Sequence, residues 1–225
     1  MNPVLRGSAA HVFVDSLASP VLSDEDEHHL RRVLRVRDSD VITVSDGAGR
    51  WVTARLTAGG VTVDSEPTTV DAPRAASIIS AIPKGDRPEW IVQKLTEVGA
   101  TSIGFMDCAR SVVRWDAARA ARQRERLRKV AREAAMQSRR VWLPQLVDVV
   151  SFHEVIKPIT CAIADPDGED LAADVDTVLV GPEGGFTEGE LDSVDRRVSL
   201  SANVLRVETA ALTAAILLTQ RHLRT

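Results

Sequence analysis

Tyrosine is absent from the chain, and all aromatic residues together make up 4% of it, as four tryptophans and four phenylalanines. With so few ring faces on which bases could stack, generic single-strand binding on aromatic platforms is not expected. Cysteine is nearly absent as well. Cys108 and Cys161 stand far apart, which argues against a disulfide framework or a paired-cysteine zinc site and predicts two reduced, buried, inert thiols. No apolar run approaches the roughly 20 residues of a membrane span, and the opening residues 1–13 lack the apolar core of a signal peptide. A cytoplasmic protein without a membrane partner is expected. A net excess of positive charge is also missing, the formal balance being -4.

What is present is ordinary globular composition: 225 residues, 44% hydrophobic and 27% charged. At about 150 residues per domain the length allows one large domain or two smaller ones, and two are expected. The charge is distributed unevenly. Residues 110–140 hold eleven Lys/Arg against three Asp/Glu, a local charge of +8, whereas residues 165–195 hold eleven Asp/Glu and no Lys or Arg. A basic stripe in an acidic chain can be a footprint for nucleic-acid phosphates, since each neutralised phosphate releases a counterion; it can equally be a solvated helix face.

The first 66 residues read as strands. Residues 41–45 and 51–56 alternate apolar and polar side chains around Asp46-Gly47-Ala48-Gly49, which predicts a hairpin. Residues 61–63 and 12–14 add candidate strands, and 24–35 a short helix with acids first and arginines last, matching its dipole. A small barrel is the natural closure. Turn formers without periodicity over 66–73 place a domain boundary there, giving domains 1–72 and 73–225.

Beyond the boundary, strands alternate with helices. Residues 76–82 and 102–106 read as strands, as do 159–164 and 177–180, whose short runs rich in β-branched residues suit buried parallel strands. Asp86 with Glu89 reads as a capping box opening a helix that buries Ile91, Leu95 and Val98 and ends at Gly99. Asp116 caps a long helix reaching about Arg140, with Leu127, Val130, Ala131 and Ala134 as a narrow apolar stripe. Thr187 with Glu190 forms a second capping box, and 208–223 a final apolar helix with Thr209 as its cap. The pattern predicts an α/β domain with a mostly parallel sheet.

Two loops can carry chemistry. Val178-Leu-Val-Gly-Pro-Glu-Gly-Gly-Phe186 is a buried strand running into a glycine-rich turn, placed where open α/β sheets bind ligands and where glycine admits close backbone approach. It lacks both the Lys-Ser/Thr of a P-loop and the spacing of a dinucleotide fingerprint. Residues 199–209 form the second such loop, with Arg206 and Glu208 just before the apolar helix. Each loop alone can be structural; two after neighbouring strands favour a composite site. Adjacent His28 and His29 point apart on a helix, so no metal site is expected.

In combination, several segments resemble the ribosomal RNA small subunit methyltransferase E family, of the SPOUT class. They are His29-Leu-Arg-Arg-Val-Leu-Arg35, Pro83-Lys-Gly-Asp-Arg87, Gln93-Lys-Leu-Thr-Glu-Val-Gly99, Arg110-Ser-Val-Val-Arg114, Glu133-Ala-Ala-Met-Gln-Ser138 with Arg140 and Pro144, Leu179-Val-Gly-Pro-Glu-Gly-Gly-Phe186, and Val204-Leu-Arg-Val-Glu-Thr-Ala210. The resemblance covers essentially the whole chain. It implies a PUA-like RNA-binding β-barrel followed by a SPOUT-type sheet with helices on both faces and a C-terminal trefoil knot, assembled as a homodimer. The implied activity is methylation of uridine N3 in 16S ribosomal RNA, free or in the assembled small subunit, with S-adenosyl-L-methionine as donor.

The implied cofactor residues are Leu179, Gly181, Pro182, Glu183, Gly184, Gly185, Leu200, Ser201, Val204, Leu205, Arg206 and Thr209. Those for RNA are Arg31, Arg35, Lys84, Arg110, Arg114, Gln137 and Arg140. Two departures from the family pattern stand out. Ser201-Ala202 replaces the usual Gly-Pro pair, and His11 replaces the arginine before the first strand, which weakens an RNA contact assigned there. The donor's methyl is already electrophilic, so the protein's larger task is alignment, with Arg206 or Arg114 stabilising charge on the uracil oxygens and Glu208 a candidate base. Alternatives are a SPOUT enzyme acting on transfer RNA or a ribose 2'-hydroxyl, and a catalytically silent RNA-binding module.

Overall fold

The computed structural model describes residues 2–57, 59–156 and 160–220 and divides into two units. One is Met1–Pro73 together with Arg132–Leu143; the other is Arg74–Ala131 with Pro144–Thr225. In the first unit the alternating segments form the antiparallel pair β2 (Val41–Ser45) and β3 (Arg50–Thr57), with Val44 opposite Val52. Gly47 and Gly49 in the turn have φ of 73° and 92°, which glycine adopts without steric cost. After a short α1 (Pro3–Gly7), β1 (His11–Phe13) lies parallel to β2; β4 (Gly60–Val63) and β5 (Thr68–Thr69) both pair with β3.

Two expectations for this unit change. The helix over 24–35 is split into α2 (Asp24–His28), capped by Ser23, and a π turn over His29–Val33, with Arg35 following at φ 55°. The wider turn and left-handed exit let Leu30 and Val36 both enter the core, although six residues apart on an α-helix they would point about 120° apart. The barrel is also not closed by hydrogen bonds, since among the described residues no ladder joins β1 to β4. The hairpin turn instead pairs with residues far along the chain: Gly49 N–H donates to the Val141 carbonyl (3.0 Å), and Leu143 N–H to that of Gly47 (2.9 Å).

The second unit holds a parallel seven-stranded sheet. Its strands are β6 (Ser77–Ala81), β7 (Ser102–Asp107), β8 (Gln145–Leu146), β9 (Val150–Ser151), β10 (Cys161–Glu169), β11 (Thr177–Val180) and β12 (Arg197–Val198). The order is β12-β10-β11-β6-β7-β8, with β9 also on β7. Helices cover both faces. Ile78, Ile103, Phe105 and Val178 pack with α3 (Arg87–Val98), α4 (Ala117–Gln137) and α7 (Val207–Thr219). Ile79, Met106, Ile163 and Leu179 pack on the other side with α5 (Phe152–Val155) and α6 (Glu188–Asp192).

Local chemistry explains where the boundaries differ from expectation. Asp116 does cap α4, accepting from Arg119 N–H at 2.7 Å. Asp86 makes no side-chain capping bond to α3: the Glu89 amide it would accept from donates to the Asp86 carbonyl at 3.2 Å, and the Glu89 carboxylate is drawn to Arg126 at 2.8 Å. Helix α7 starts earlier than expected: Ala210 N–H reaches the Arg206 carbonyl at 2.8 Å, so Arg206 is the cap and Thr209 lies within the helix. Strand β10 outruns its expected end because Gly168 lets the backbone of Arg197 and Val198 approach, where a Cβ would come within 2.7 Å. Ile159 and the expected helix end at 221–223 lie outside the described residues.

Candidate functional site: a cleft at the edge of the parallel sheet

Residues 164–166 of β10, just past its pairing with β11, and the loops following β11 and β12 meet at the carboxyl edge of the parallel sheet and enclose a cleft of about 310 Å³, at the lower end of the ~300–1,000 Å³ of small-ligand sites. The glycine-rich loop contributes Gly181, Pro182, Glu183, Gly185 and Phe186. Its shape follows from its residues. The Phe186 ring lies against Gly181, where a Cβ would stand 2.8 Å away, and Gly185 at φ 70° closes a turn onto the Pro182 carbonyl at 2.8 Å.

Two neighbours brace this loop. The Arg110 guanidinium donates to the carbonyls of Gly184 and Phe186, each at 3.1 Å. The Glu190 carboxylate completes the Thr187 capping box and accepts from Ala109 N–H at 2.7 Å, tying the loops after β7 and β11 together. Burial alone would raise the Glu190 pKa, but donation from the Thr187 and Ala109 amides outweighs it and holds the carboxyl below its ordinary range.

The second loop contributes Leu200, Ser201, Asn203, Val204 and Leu205. Here Ser201 Oγ accepts from Asn203 N–H at 3.1 Å, a side-chain turn that shapes the backbone at Ser201-Ala202. A third contribution is not marked by any sequence motif: Ala164, Asp165 and Pro166, in β10 beyond its last pair with β11, also line the cleft. The available signal was an apolar run interrupted by Asp-Pro. Leu179 is buried inside β11, and Arg206 and Thr209 lie outside the lining; Gly184 faces Arg110.

These observations can be set beside known proteins. A family model described as an RNA methyltransferase domain matches residues 70–219, and one described as an RNA methyltransferase PUA domain matches residues 22–63. Ribosomal RNA small subunit methyltransferase E of Bacillus subtilis is 33% identical over 86% of each chain. The chain belongs to the ribosomal RNA small subunit methyltransferase E family. The Neisseria gonorrhoeae member, solved bound to S-adenosyl methionine, superposes with a TM-score of 0.81 at 28% identity, covering 95% of this chain and 97% of its own. A Legionella pneumophila protein solved with bound SAM gives 0.78 at 26% identity over 94% and 97%.

In this family member the catalytic candidates separate. Arg206 is exposed, and its guanidinium makes no hydrogen bond or ion pair among the described residues. Glu208 does not pair with it. Its carboxylate meets Arg87 at 3.5 Å, while Oε2 is buried without a partner. Arg114 donates to the Cys108 carbonyl at 3.0 Å and lines a different recess.

The RNA candidates also differ in availability. Arg31 is committed to Glu27 at 2.9 Å, Asp38 at 3.3 Å and the Thr57 carbonyl at 2.6 Å, whereas Arg35, Lys84 and Gln137 are exposed. Arg140 is half-buried in the first unit, and burial pushes its guanidinium down to about 10. Much of the basic stripe is matched internally: Arg124 by Asp148, Arg126 by Glu89, Arg128 by Glu125, and Arg132 by a two-pronged contact with Asp26. His11 is buried and bonded to Thr43 and the Arg140 carbonyl. Burial pushes the Cys108 thiol up to about 12. Among the described residues no group of three His, Cys, Asp or Glu side chains could hold a metal, and no helix is long and apolar enough to cross a membrane.

Proposed function

We propose that the chain transfers a methyl group from S-adenosyl-L-methionine to N3 of a uridine in 16S ribosomal RNA, free or within the small subunit. The observation that carries this reading is the cleft at the carboxyl edge of the parallel sheet, in a chain whose fold matches a relative solved with that cofactor. Its residues suit the cofactor. Phe186, Leu200, Leu205 and Val207 offer an apolar wall, the glycine loop offers backbone groups, and Asp165 and Glu183 place carboxylates where a cationic sulfur and ribose hydroxyls call for them. When bound, the cofactor supplies an electrophilic methyl group.

The chain's own residues bind, orient and exclude water. Arg206, with no internal partner, stabilises negative charge on the uracil oxygens as the N3 proton leaves, and the unpartnered Glu208 Oε2 is the candidate to take that proton. Residues 1–72 act as the RNA-binding module and 73–225 as the methyltransferase domain. The strand order, which returns β12 past β10, supports threading of the two cofactor loops as a trefoil knot. Val204 is 89% exposed and Leu217 on α7 is exposed too, which supports a homodimer.

Mass-spectrometric mapping of methylated uridine in ribosomal RNA from cells lacking and then regaining the protein tests the reading; an unchanged methylation map overturns it. Arg206→Ala is expected to leave cofactor affinity near normal in calorimetry and to cut turnover severely, and unchanged turnover removes Arg206 from the mechanism.

A further inference from the structure

A second recess in the same unit shares no lining residue with the cofactor cleft. It is an open cleft of about 550 Å³ formed by the loop after β6, the loop after β7 and the first turns of α4. Trp115, which is 8% exposed, and the buried Pro88 give it an apolar floor, and the exposed Val112 stands at its edge. Four cations reach it. Arg114 is held by the Cys108 carbonyl and Arg126 by Glu89. Lys84 and Arg119 are different: both are exposed, they come from separate elements, and neither side chain has a hydrogen bond or ion pair among the described residues. With Glu89 matched by Arg126, Asp86 is the remaining carboxylate in the lining, so the recess carries a surplus of positive charge.

An apolar floor under two unmatched cations suits a group with a flat, weakly polar part and an anionic part, which describes a nucleotide within a strand. The open shape lets a polymer enter and leave. We propose that this recess seats a nucleotide flanking the methyl acceptor in the substrate RNA, with its phosphate between Lys84 and Arg119 and its sugar and base over Trp115 and Pro88. The assignment rests on the methyltransferase reading and adds Arg119, which no motif had marked, to the RNA-binding residues.

The test titrates the full-length protein with transcribed 16S ribosomal RNA over a range of KCl concentrations, using the wild type, Lys84→Gln, Arg119→Gln and, as a control, Arg122→Gln. Arg122 also lies on α4 without a partner among the described residues, but it does not line the recess. Lys84→Gln and Arg119→Gln should each weaken RNA binding several-fold and lower the slope of log affinity against log salt by about 0.7, the value of one single-strand phosphate contact. Arg122→Gln should leave the slope unchanged. Cofactor affinity should be the same in all four proteins, which also verifies that they fold. Wild-type slopes in both recess variants overturn the proposal, and so does an equal loss in Arg122→Gln, which would mean generic surface charge. If the wild type methylates the RNA while the recess variants bind it normally, only this proposal falls; if the wild type neither binds nor methylates it, the methyltransferase reading falls first.

Discussion

His11 shows how one side chain can change meaning between sequence and fold. In sequence it departs from the arginine that the family resemblance implies there, which suggests a weakened RNA contact; in the structure it is 1% exposed. Since the Arg140 carbonyl can only accept, Nε2 carries the proton at 2.9 Å, and Nδ1 accepts from the Thr43 hydroxyl at 2.9 Å. A second proton would turn Nδ1 into a donor facing that hydroxyl. Burial, opposed in part by the Arg140 carbonyl, lowers the His11 pKa from 6.5 to about 4. The folded state therefore holds the ring neutral while the unfolded chain protonates it. The contribution to stability is complete above pH 6.5 and is lost as pH falls toward 4, to a total of roughly 3 kcal/mol. Denaturation free energies at pH 7 and pH 5 should show about 2 kcal/mol of that loss in the wild type and less in His11→Asn; equal losses would show that His11 is not the titrating group. Burial of this kind depends on residues 129 positions away and is not written in the local sequence.

At the scale of elements, capping is the clearest case of local information succeeding and failing. Thr187 and Glu190 form their box as their spacing predicts, because no Arg or Lys among the described residues draws the Glu190 carboxylate into an ion pair and the Ala109 amide adds a third donor. Asp86 and Glu89 carry the same signal and form no box, because Arg126 on α4 takes the carboxylate. The distinction lies in what a tertiary neighbour offers. Glu190→Gln should cost about 1.5–3 kcal/mol in chemical denaturation, the range for charge-assisted hydrogen bonds, and weaken cofactor binding in calorimetry by loosening the glycine-rich loop. Normal cofactor affinity would separate α6 from the cleft. Because the Glu190 pKa is depressed, its stabilising contribution is present above its ordinary 4.5 and is lost as pH falls through the lower, folded value.

At the scale of the whole molecule, the first unit is discontinuous. Residues up to Pro73 are joined by Arg132–Leu143, which supply the Arg132 contact with Asp26, the buried Val141 beside Trp51, and the backbone partners of the hairpin turn. A fragment ending at Pro73 should therefore lack a cooperative thermal transition by circular dichroism, whereas the full chain has one; a sharp transition in the fragment would show that the returning segment is dispensable. Local sequence was enough for the alternation of strands and helices, the parallel sheet and the two loops of the candidate cleft, because periodicity, turn residues and glycine act over a few neighbouring positions. Tertiary structure alone decided that Asp165 joins the cleft, that Arg31 and Arg132 are spent on internal carboxylates while Lys84 and Arg119 are left unmatched, and that residues 132–143 return to the first unit. Those outcomes depend on which charges and backbone groups meet across long stretches of chain, and a partner's position is set only when the sheet has formed.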